Sequence, residues 1–211
     1  MKGYFRSMFY WAYCMEILFF SMLGAIVLVI FIYIFITGDM DQVFQYTITY
    51  IPMFGVIYPV SSGMNMANMQ VPLALSNGST RKETACGFLV TMHAAMLQFW
   101  IVSAVCCVII PAEHIPDDYL EMCGLLFLAG CGIGNGLGAV ILRFGNKVGW
   151  IVYMFAMFIL IGGAVAVSLL LGKDTVTAIL NNSPIFVAGM VFDVLMSVAY
   201  YMGIKKYEVR I

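Results

Sequence analysis

Residues 125–142 read LLFLAGCGIGNGLGAVIL, a run of eighteen residues without a charged side chain. An apolar helix of about 20 residues is long enough to cross the hydrocarbon core of a bilayer. The rest of the chain is similarly apolar, since 63% of its 211 residues are hydrophobic and 10% are charged. Soluble domains contain roughly half apolar and a quarter charged residues. The composition therefore excludes a soluble globular protein and predicts an all-α membrane protein.

Apolar runs of spanning length occur six times along the chain. The predicted transmembrane helices lie at about 17–37, 43–62, 87–110, 119–142, 150–171 and 184–203. We therefore predict a single transmembrane domain over residues 1–211, with six spans in 17–203. Residues 1–16 form a helix in the membrane interface, and residues 204–211 form a cytoplasmic tail.

The cations are distributed unevenly over the loops of this topology. Only Lys173 falls on one side. The other side carries Lys2, Arg6, Arg81, Lys82, Arg143, Lys147, Lys205, Lys206 and Arg210. Because cytoplasmic loops are enriched in Lys and Arg, both termini are predicted to be cytoplasmic. The net charge of −1, without a block of one sign, gives no support for a nucleic-acid partner.

The longest predicted connection is the cytoplasmic stretch 61–86 between the second and third spans. Within it, Pro72 suits the first turn of a short helix, and Asn77 with Gly78 suits its end. Thr80 and Glu83 form a capping box that starts the next helix. The pattern predicts a short helix, a sharp turn and a second helix. It serves either as a docking contact for a soluble partner or as an ordinary capped loop.

The amino-terminal segment places aromatic side chains at four-residue spacing. Phe5, Phe9 and Tyr13 recur at this interval, with Arg6 between them. This pattern is typical of an amphipathic helix that lies in the headgroup region, although simple aromatic anchoring explains it equally. Glu16 follows at the bend into the first span and needs a cationic or hydrogen-bonding partner if it is buried.

The glycines of the fourth span recur at helical spacing. Gly130, Gly134 and Gly138 share one face of the helix, and Gly132 and Gly136 share another. Small residues at this spacing allow helix backbones to approach closely, so we predict helix packing within the subunit or across a dimer. The spacing does not match the nucleotide-binding GxGxxG pattern, and no strand precedes it.

Asp193 lies near the middle of the last span, where a carboxylate costs roughly 3 kcal/mol to insert. Ser197 and Tyr200 follow at helical spacing and give one polar face. This face either lines a cavity or makes structural hydrogen bonds to a neighbouring span. In the third span, His93 and Gln98 are five residues apart and face different sides, so they do not form one polar track.

Sequence patterns of catalytic and metal-binding sites do not occur in this chain. The two histidines, His93 and His114, make no paired-histidine zinc signature, and the six cysteines form no CxxC pair. GxSxG and GxxxxGK[ST] patterns are also missing. We therefore predict no catalytic residues, no metal site and no enzymatic activity of the chain by itself.

Residues 72–83, PLALSNGSTRKE, resemble the P-x-A-L-S-x-G-x-T-R-K segment of small bacterial ABC transporter permeases of the ABC-2 type. The glycine-rich fourth span running into residues 142–147, and the closing residues 205–210, are similar to the corresponding parts of these permeases. The resemblance covers essentially the whole chain. It implies a multi-pass subunit of the bacterial cytoplasmic membrane that pairs with an identical or related permease in the lipid bilayer. Two copies of a separate ATP-binding subunit would hold ATP and Mg, so the chain itself would bind no cofactor.

The resemblance also implies roles for particular segments. The amphipathic helix at about 2–15 would be the connecting helix that flanks the coupling region. The coupling helix to the ATPase, with the cations just beyond it, would consist of Val71, Pro72, Leu73, Ala74, Leu75, Ser76, Arg81 and Lys82. The last outer loop, 172–184, is shorter than the re-entrant insertion of larger relatives, so an extracellular gate of that kind is not expected.

The function implied is that of an ATP-driven exporter permease. The translocation path would carry an amphiphilic cargo such as a hydrophobic peptide, a drug or a lipid. One alternative is a secondary transporter that couples to protons through Asp193 or Glu16. Another is a small membrane enzyme or an immunity protein that acts without ATP.

Overall fold

The computed structural model describes residues 40–156, 158 and 183–207, together with positions 21, 24, 25, 29, 32, 33, 36 and 38. The described residues contain helices and no strand. The helices are α1 (Met40–Asn65), α2 (Val71–Ser76), α3 (Arg81–Ile109), α4 (Tyr119–Phe144) and α5 (Ser183–Lys206). A π-helical turn, Met66–Gln70, joins α1 to α2, a 3-10 turn, Ala112–His114, precedes α4, and residues 146–156 are also helical. The predicted all-α class is confirmed for this part of the chain.

Three of the described helices are long and apolar enough to cross a membrane: Arg81–Ile109, Tyr119–Phe144 and Pro184–Lys206. They coincide with the third, fourth and sixth predicted spans. Helix α1 covers the predicted second span with 26 residues but is not among the three, because tyrosines, threonines and prolines dilute its apolar character. The predicted spans 17–37 and 150–171 lie largely outside the described residues, and the predicted helix 1–16 lies wholly outside them.

The connection between α1 and α3 is shorter than predicted. Helix α1, the π-helical turn and α2 follow one another without interruption from Met40 to Ser76. Only residues 77–80 are non-helical, and α3 already begins at Arg81. Met64, Met66 and Ala67 are buried in the core. Tertiary packing therefore keeps this stretch helical, and the predicted second span, 43–62, ends too early because the helical stretch continues to Ser76.

The residues predicted to start and end the helices at the α2–α3 turn are confirmed in these roles. Pro72 lies in the first turn of α2. Gly78 has φ of +83°, a left-handed conformation that favours glycine, and the Ser79 N–H donates to the Ala74 carbonyl at 3.0 Å. The Thr80 hydroxyl accepts from the Glu83 N–H at 3.3 Å, and the Glu83 carboxylate accepts from the Thr80 N–H at 3.1 Å. A left-handed glycine and a complete capping box thus fix the hairpin between the two helices.

Helix α4 lies against the backbone of α1 through one glycine face. A methyl group built on Gly134 would overlap the carbonyl oxygen of Pro59, and one built on Gly63 would overlap the carbonyl oxygen of Gly134. A methyl group on Gly130 would come within 3.0 Å of the Val56 Cα. Because the obstacles are backbone atoms, side-chain rotation cannot relieve these contacts. Backbone contact between α1 and α4 therefore depends on glycine at these positions.

Three further glycines of α4 face α5. Built methyl groups on these residues meet aromatic or methionine side chains of α5. The pairs are Gly132 with Phe192, Gly136 with Met196, and Gly138 with Tyr200. A methyl group built on Gly138, which is predicted to share a face with Gly130 and Gly134, also comes within 3.2 Å of the Gly63 carbonyl oxygen, so Gly138 lies between α1 and α5. Helix α4 thus contacts both helices and is the centre of the described bundle.

Charge is sorted between the two ends of the bundle. Arg81 Nη1, at the start of α3, donates to the carbonyl oxygen of Lys205, at the end of α5, at 3.1 Å. The Lys and Arg residues of the described part lie at this end, called the basic end: Arg81, Lys82, Arg143, Lys147, Lys205 and Lys206. The opposite end has His114 Nε2 at 3.4 Å from Asp41 Oδ1, with Glu113, Asp117, Asp118 and Glu121 nearby in sequence. This asymmetry has the form that the positive-inside rule describes.

Candidate functional site

The first candidate site is the surface of α2 at the basic end. Val71 and Ala74 are buried, whereas the side of α2 that carries Leu73 is exposed, with 43% of Leu73 accessible. Met69, one turn earlier, is 66% exposed. The exposed side of α2 therefore presents apolar side chains next to cations. We call Met69, Leu73 and Lys82 the tip surface.

The cations after α2 differ in their contacts. Both Arg81 and Lys82 are exposed, but the Arg81 guanidinium is tied to the Lys205 carbonyl of α5. This bond joins the hairpin to the end of the last helix. Lys82 is therefore the cation that the tip surface includes. Pro72, Leu75 and Ser76 complete α2, and the Ser76 hydroxyl donates to the Leu73 carbonyl at 2.9 Å.

The second candidate site is the polar face of α5. Asp193 Oδ2 lies 2.9 Å from His93 Nε2 of α3. The Ser197 hydroxyl accepts from Asn135 Nδ2 of α4 at 3.1 Å. The Tyr200 hydroxyl is buried and has no hydrogen-bond partner among the described residues. The three predicted side chains thus share one face but make different contacts, two of them to neighbouring spans.

His93 is the functional candidate that sequence reasoning missed. Its Nδ1 lies 2.8 Å from the Leu89 carbonyl oxygen one turn earlier, so both ring nitrogens have partners. The Asp193 side chain is 5% exposed and the His93 side chain is 38% exposed. The sequence did contain a signal that points from Asp193 to His93. A carboxylate inside the membrane usually pairs with another ionisable group, and the third span contains one histidine. Spacing along a single helix does not reveal a partner that lies on another helix.

Close packing surrounds this pair. Gly132 of α4 lies against Phe192 and the backbone of Asp193, and the neighbouring Cys131 thiol donates to the Met92 carbonyl at 3.7 Å. Helix α4 therefore contacts both partners' helices next to the pair. The two polar groups meet where three helices converge.

Several predicted residues make no contribution to either site as described. The residues assigned to the connecting helix, Phe5, Arg6, Phe9, Tyr13 and Glu16, lie outside the described residues. Within residues 40–156 and 183–207, no group of three or more His, Cys, Asp and Glu side chains is placed to hold a metal ion.

Comparison with known proteins identifies no relative: no protein-family model, curated protein or solved structure matches this chain. The resemblance to ABC-2 permeases therefore remains a prediction from residues 72–83 and the topology. The geometry of the tip surface and of the polar face of α5 is the basis on which a function can be proposed.

Proposed function

We propose that this chain is the membrane subunit of an ATP-driven exporter of the ABC-2 type, located in the cytoplasmic membrane of a bacterium. The observation that carries the proposal is the tip surface, two exposed apolar side chains and a cation on the short helix α2 and the helical turns that flank it, at the basic end of the bundle. A separate ATP-binding subunit would receive this helix, and ATP with Mg would bind to that subunit.

The tip surface suits docking because its geometry is fixed. Burial of Val71 and Ala74 anchors α2, and the Gly78 turn and the Thr80–Glu83 capping box hold the hairpin. Leu73 then projects from a rigid support. Burying one leucine in a partner's apolar socket contributes about 1.5–3 kcal/mol, which is enough to distinguish a docked from a free helix.

Helix continuity provides a path for force from the tip surface into the membrane. Residues 40–76 are helical without a break, so a displacement of α2 also acts on α1. At Gly63, Gly130 and Gly134 the backbones of α1 and α4 are in direct contact, so a movement of α1 would act on α4 at these positions. Closure of an ATPase dimer could then change the arrangement of the spans around a central path.

The six-span topology, the cytoplasmic termini and the connecting helix at 1–16 belong to this proposal, as does pairing with an identical or related permease. The translocation path would form between the two permeases. The proposed cargo is amphiphilic: a hydrophobic peptide, a drug or a lipid. The chain has no enzymatic role of its own in this scheme.

The test is co-expression with a candidate ATP-binding subunit, followed by purification through a tag on this chain. We would compare Leu73→Asp with Ile109→Asp. The control places the same charge on an exposed residue at the last position of α3, which is at the opposite end of the bundle from α2. Loss of the leucine contact predicts at least a tenfold weaker complex, since 1.4 kcal/mol corresponds to a factor of ten. Ile109→Asp should retain the ATPase, and size-exclusion profiles would verify that both variants fold.

A well-folded wild-type chain to which no ATPase binds would refute the proposal. Equal retention of the ATPase by wild type and Leu73→Asp would refute the role of the tip surface. In the first case the proton-coupled transporter and the ATP-independent membrane protein become the leading alternatives.

A further inference from the structure

We propose that His93 and Asp193 form a binding site for one exchangeable proton within the membrane, and that this proton joins α3 to α5. The proposal rests on the hydrogen-bond geometry of the two side chains and does not depend on the exporter function. The polar face of α5 thereby gains a ligand, the proton.

The hydrogen-bond geometry requires one shared proton. Because the Leu89 carbonyl oxygen can only accept, His93 Nδ1 must carry a hydrogen and donate it. In a neutral imidazole, Nε2 is then an acceptor. An ionised Asp193 carboxylate is also acceptor-only, and two acceptors cannot form the 2.9 Å contact between Nε2 and Oδ2. A single proton must lie between them, either on Oδ2 or on Nε2.

Both positions of this proton give the pair a net charge of zero. With the proton on Oδ2, a neutral carboxylic acid donates to a neutral imidazole. With the proton on Nε2, an imidazolium faces a carboxylate. Loss of the proton leaves a carboxylate opposite the Nε2 lone pair in apolar surroundings, where an unpaired charge is costly. The contact therefore favours the state with one proton bound.

The second carboxylate oxygen supports the same conclusion. Asp193 Oδ1 is buried and has no hydrogen-bond partner among the described residues. An unsatisfied oxygen of a carboxylate costs more than one of a neutral acid, because hydrogen bonds to charged groups are stronger. The proton on Asp193 Oδ2 is thus the arrangement that best fits this environment.

Few other groups of the described helices can compete for the proton. From α4, Cys131 lies close enough to interact electrostatically with Asp193, and Asn135 is occupied by Ser197 one turn farther along α5. Tyr200 lies two turns from Asp193 on α5. Within residues 40–156 and 183–207, the Lys, Arg, Asp and Glu side chains other than Asp193 lie at the helix ends. His93 and Asp193 therefore lie apart from the other charged side chains of the described helices.

Proton occupancy has a structural consequence for the bundle. Arg81 with Lys205 joins α3 and α5 at the basic end, and His93 with Asp193 joins them near mid-membrane. Losing the proton would replace the second bond by repulsion while leaving the first in place. The middle of the two helices would separate about a fixed end.

Histidine NMR on the full chain tests the proton site. The chain has two histidines, so His114→Gln leaves the ¹⁵N-labelled His93 ring as the only histidine signal. We expect Nδ1 to be protonated throughout, as its bond to Leu89 requires. We also expect the titration midpoint of the ring to move by about one pH unit or more in Asp193→Asn, because the carboxyl group that shares the proton with Nε2 has been removed.

The proposal would be overturned if the neutral His93 ring carried its proton on Nε2 and none on Nδ1. This tautomer is measured with Asp193 in place, so it requires no variant at position 193. Identical titration curves with and without the Asp193→Asn substitution would also overturn it. The asparagine amide of this variant can donate to Nε2 but does not ionise, so the variant retains a hydrogen bond without a titratable proton.

Thermal unfolding at a series of pH values tests the joining of the helices. Where NMR shows that the pair has lost its proton, the wild-type unfolding midpoint should fall by several degrees relative to Asp193→Asn. The reason is that the variant keeps its hydrogen bond. Parallel profiles would show that the proton does not join α3 to α5. Loss of the ATPase complex in the earlier experiment would leave both of these results unaffected.

Discussion

Substitution of Gly63 by alanine tests the backbone contact between α1 and α4. The added methyl group would overlap the Gly134 carbonyl oxygen, which belongs to the backbone of a buried helix and cannot rotate away. Overpacking typically costs 1–3 kcal/mol, and the rigid obstacle places this site near about 3 kcal/mol. Alanine regains about 0.5–1 kcal/mol of helix propensity. The net destabilisation should be about 2 kcal/mol.

Gly203→Ala provides the matched control. Gly203 is also a helical glycine in contact with α4, but a methyl group there meets Ala139 and Leu142 at 3.6 Å, an ordinary van der Waals distance. The same chemical change should therefore be neutral or slightly stabilising. It separates a general effect of removing helical glycine from a specific effect of the α1–α4 contact.

The assay is thermal unfolding in a single detergent, followed by circular dichroism and by fluorescence. About 2 kcal/mol corresponds to a decrease in Tm of roughly 4–8 °C for a chain of this size. Gly63→Ala should show this decrease, whereas Gly203→Ala should match or exceed wild type. If both variants unfold at the wild-type temperature, or both are destabilised alike, the close backbone approach of α1 and α4 is incorrect.

Three further experiments test the turn and the polar contacts by the same unfolding assay. Thr80→Ala removes the N-cap of α3 and should cost about 1 kcal/mol, whereas Thr80→Ser should retain the cap. Gly78→Ala places a side chain at φ of +83° and should cost roughly 1–2 kcal/mol, with Gly78→Asn costing less. A double-mutant cycle between Asn135 and Ser197 should give a coupling of about 0.6 kcal/mol, and a value of zero would mean that their 3.1 Å contact contributes nothing to stability.

The sequence specifies the turn between α2 and α3 well because its signals are local. Pro72, Gly78 and the Thr80–Glu83 pair each act within one helical turn of themselves, so spacing alone predicts their structure. The extent of α1 is different. Residues 61–70 carry no strong local helix signal, and they are helical because the protein core packs around Met64 and Met66. A prediction from sequence therefore ends the helix too early.

The pairing of His93 with Asp193 could not be obtained from spacing. The two residues are 100 positions apart, and their contact depends on which faces of α3 and α5 meet. Gly132 influences that choice from a third helix, since it admits Phe192 and the Asp193 backbone beside α4. Physical reasoning does predict that Asp193 needs a partner. It identifies the partner only when all intramembrane ionisable groups are considered together.

The two candidate sites act on different parts of the bundle, and this difference has a mechanical consequence. A force on α2 passes along one continuous helix to α1 and then, through glycine contacts, to α4. The proton at His93 and Asp193 joins α3 to α5. Helix α4 also contacts α5 through glycines. Movement of α1 and α4 would therefore strain the hydrogen bond between His93 of α3 and Asp193 of α5. A chain driven from α2 would therefore move less freely while the proton is bound, and Asp193→Asn, which keeps the bond at every pH, would make that resistance independent of pH.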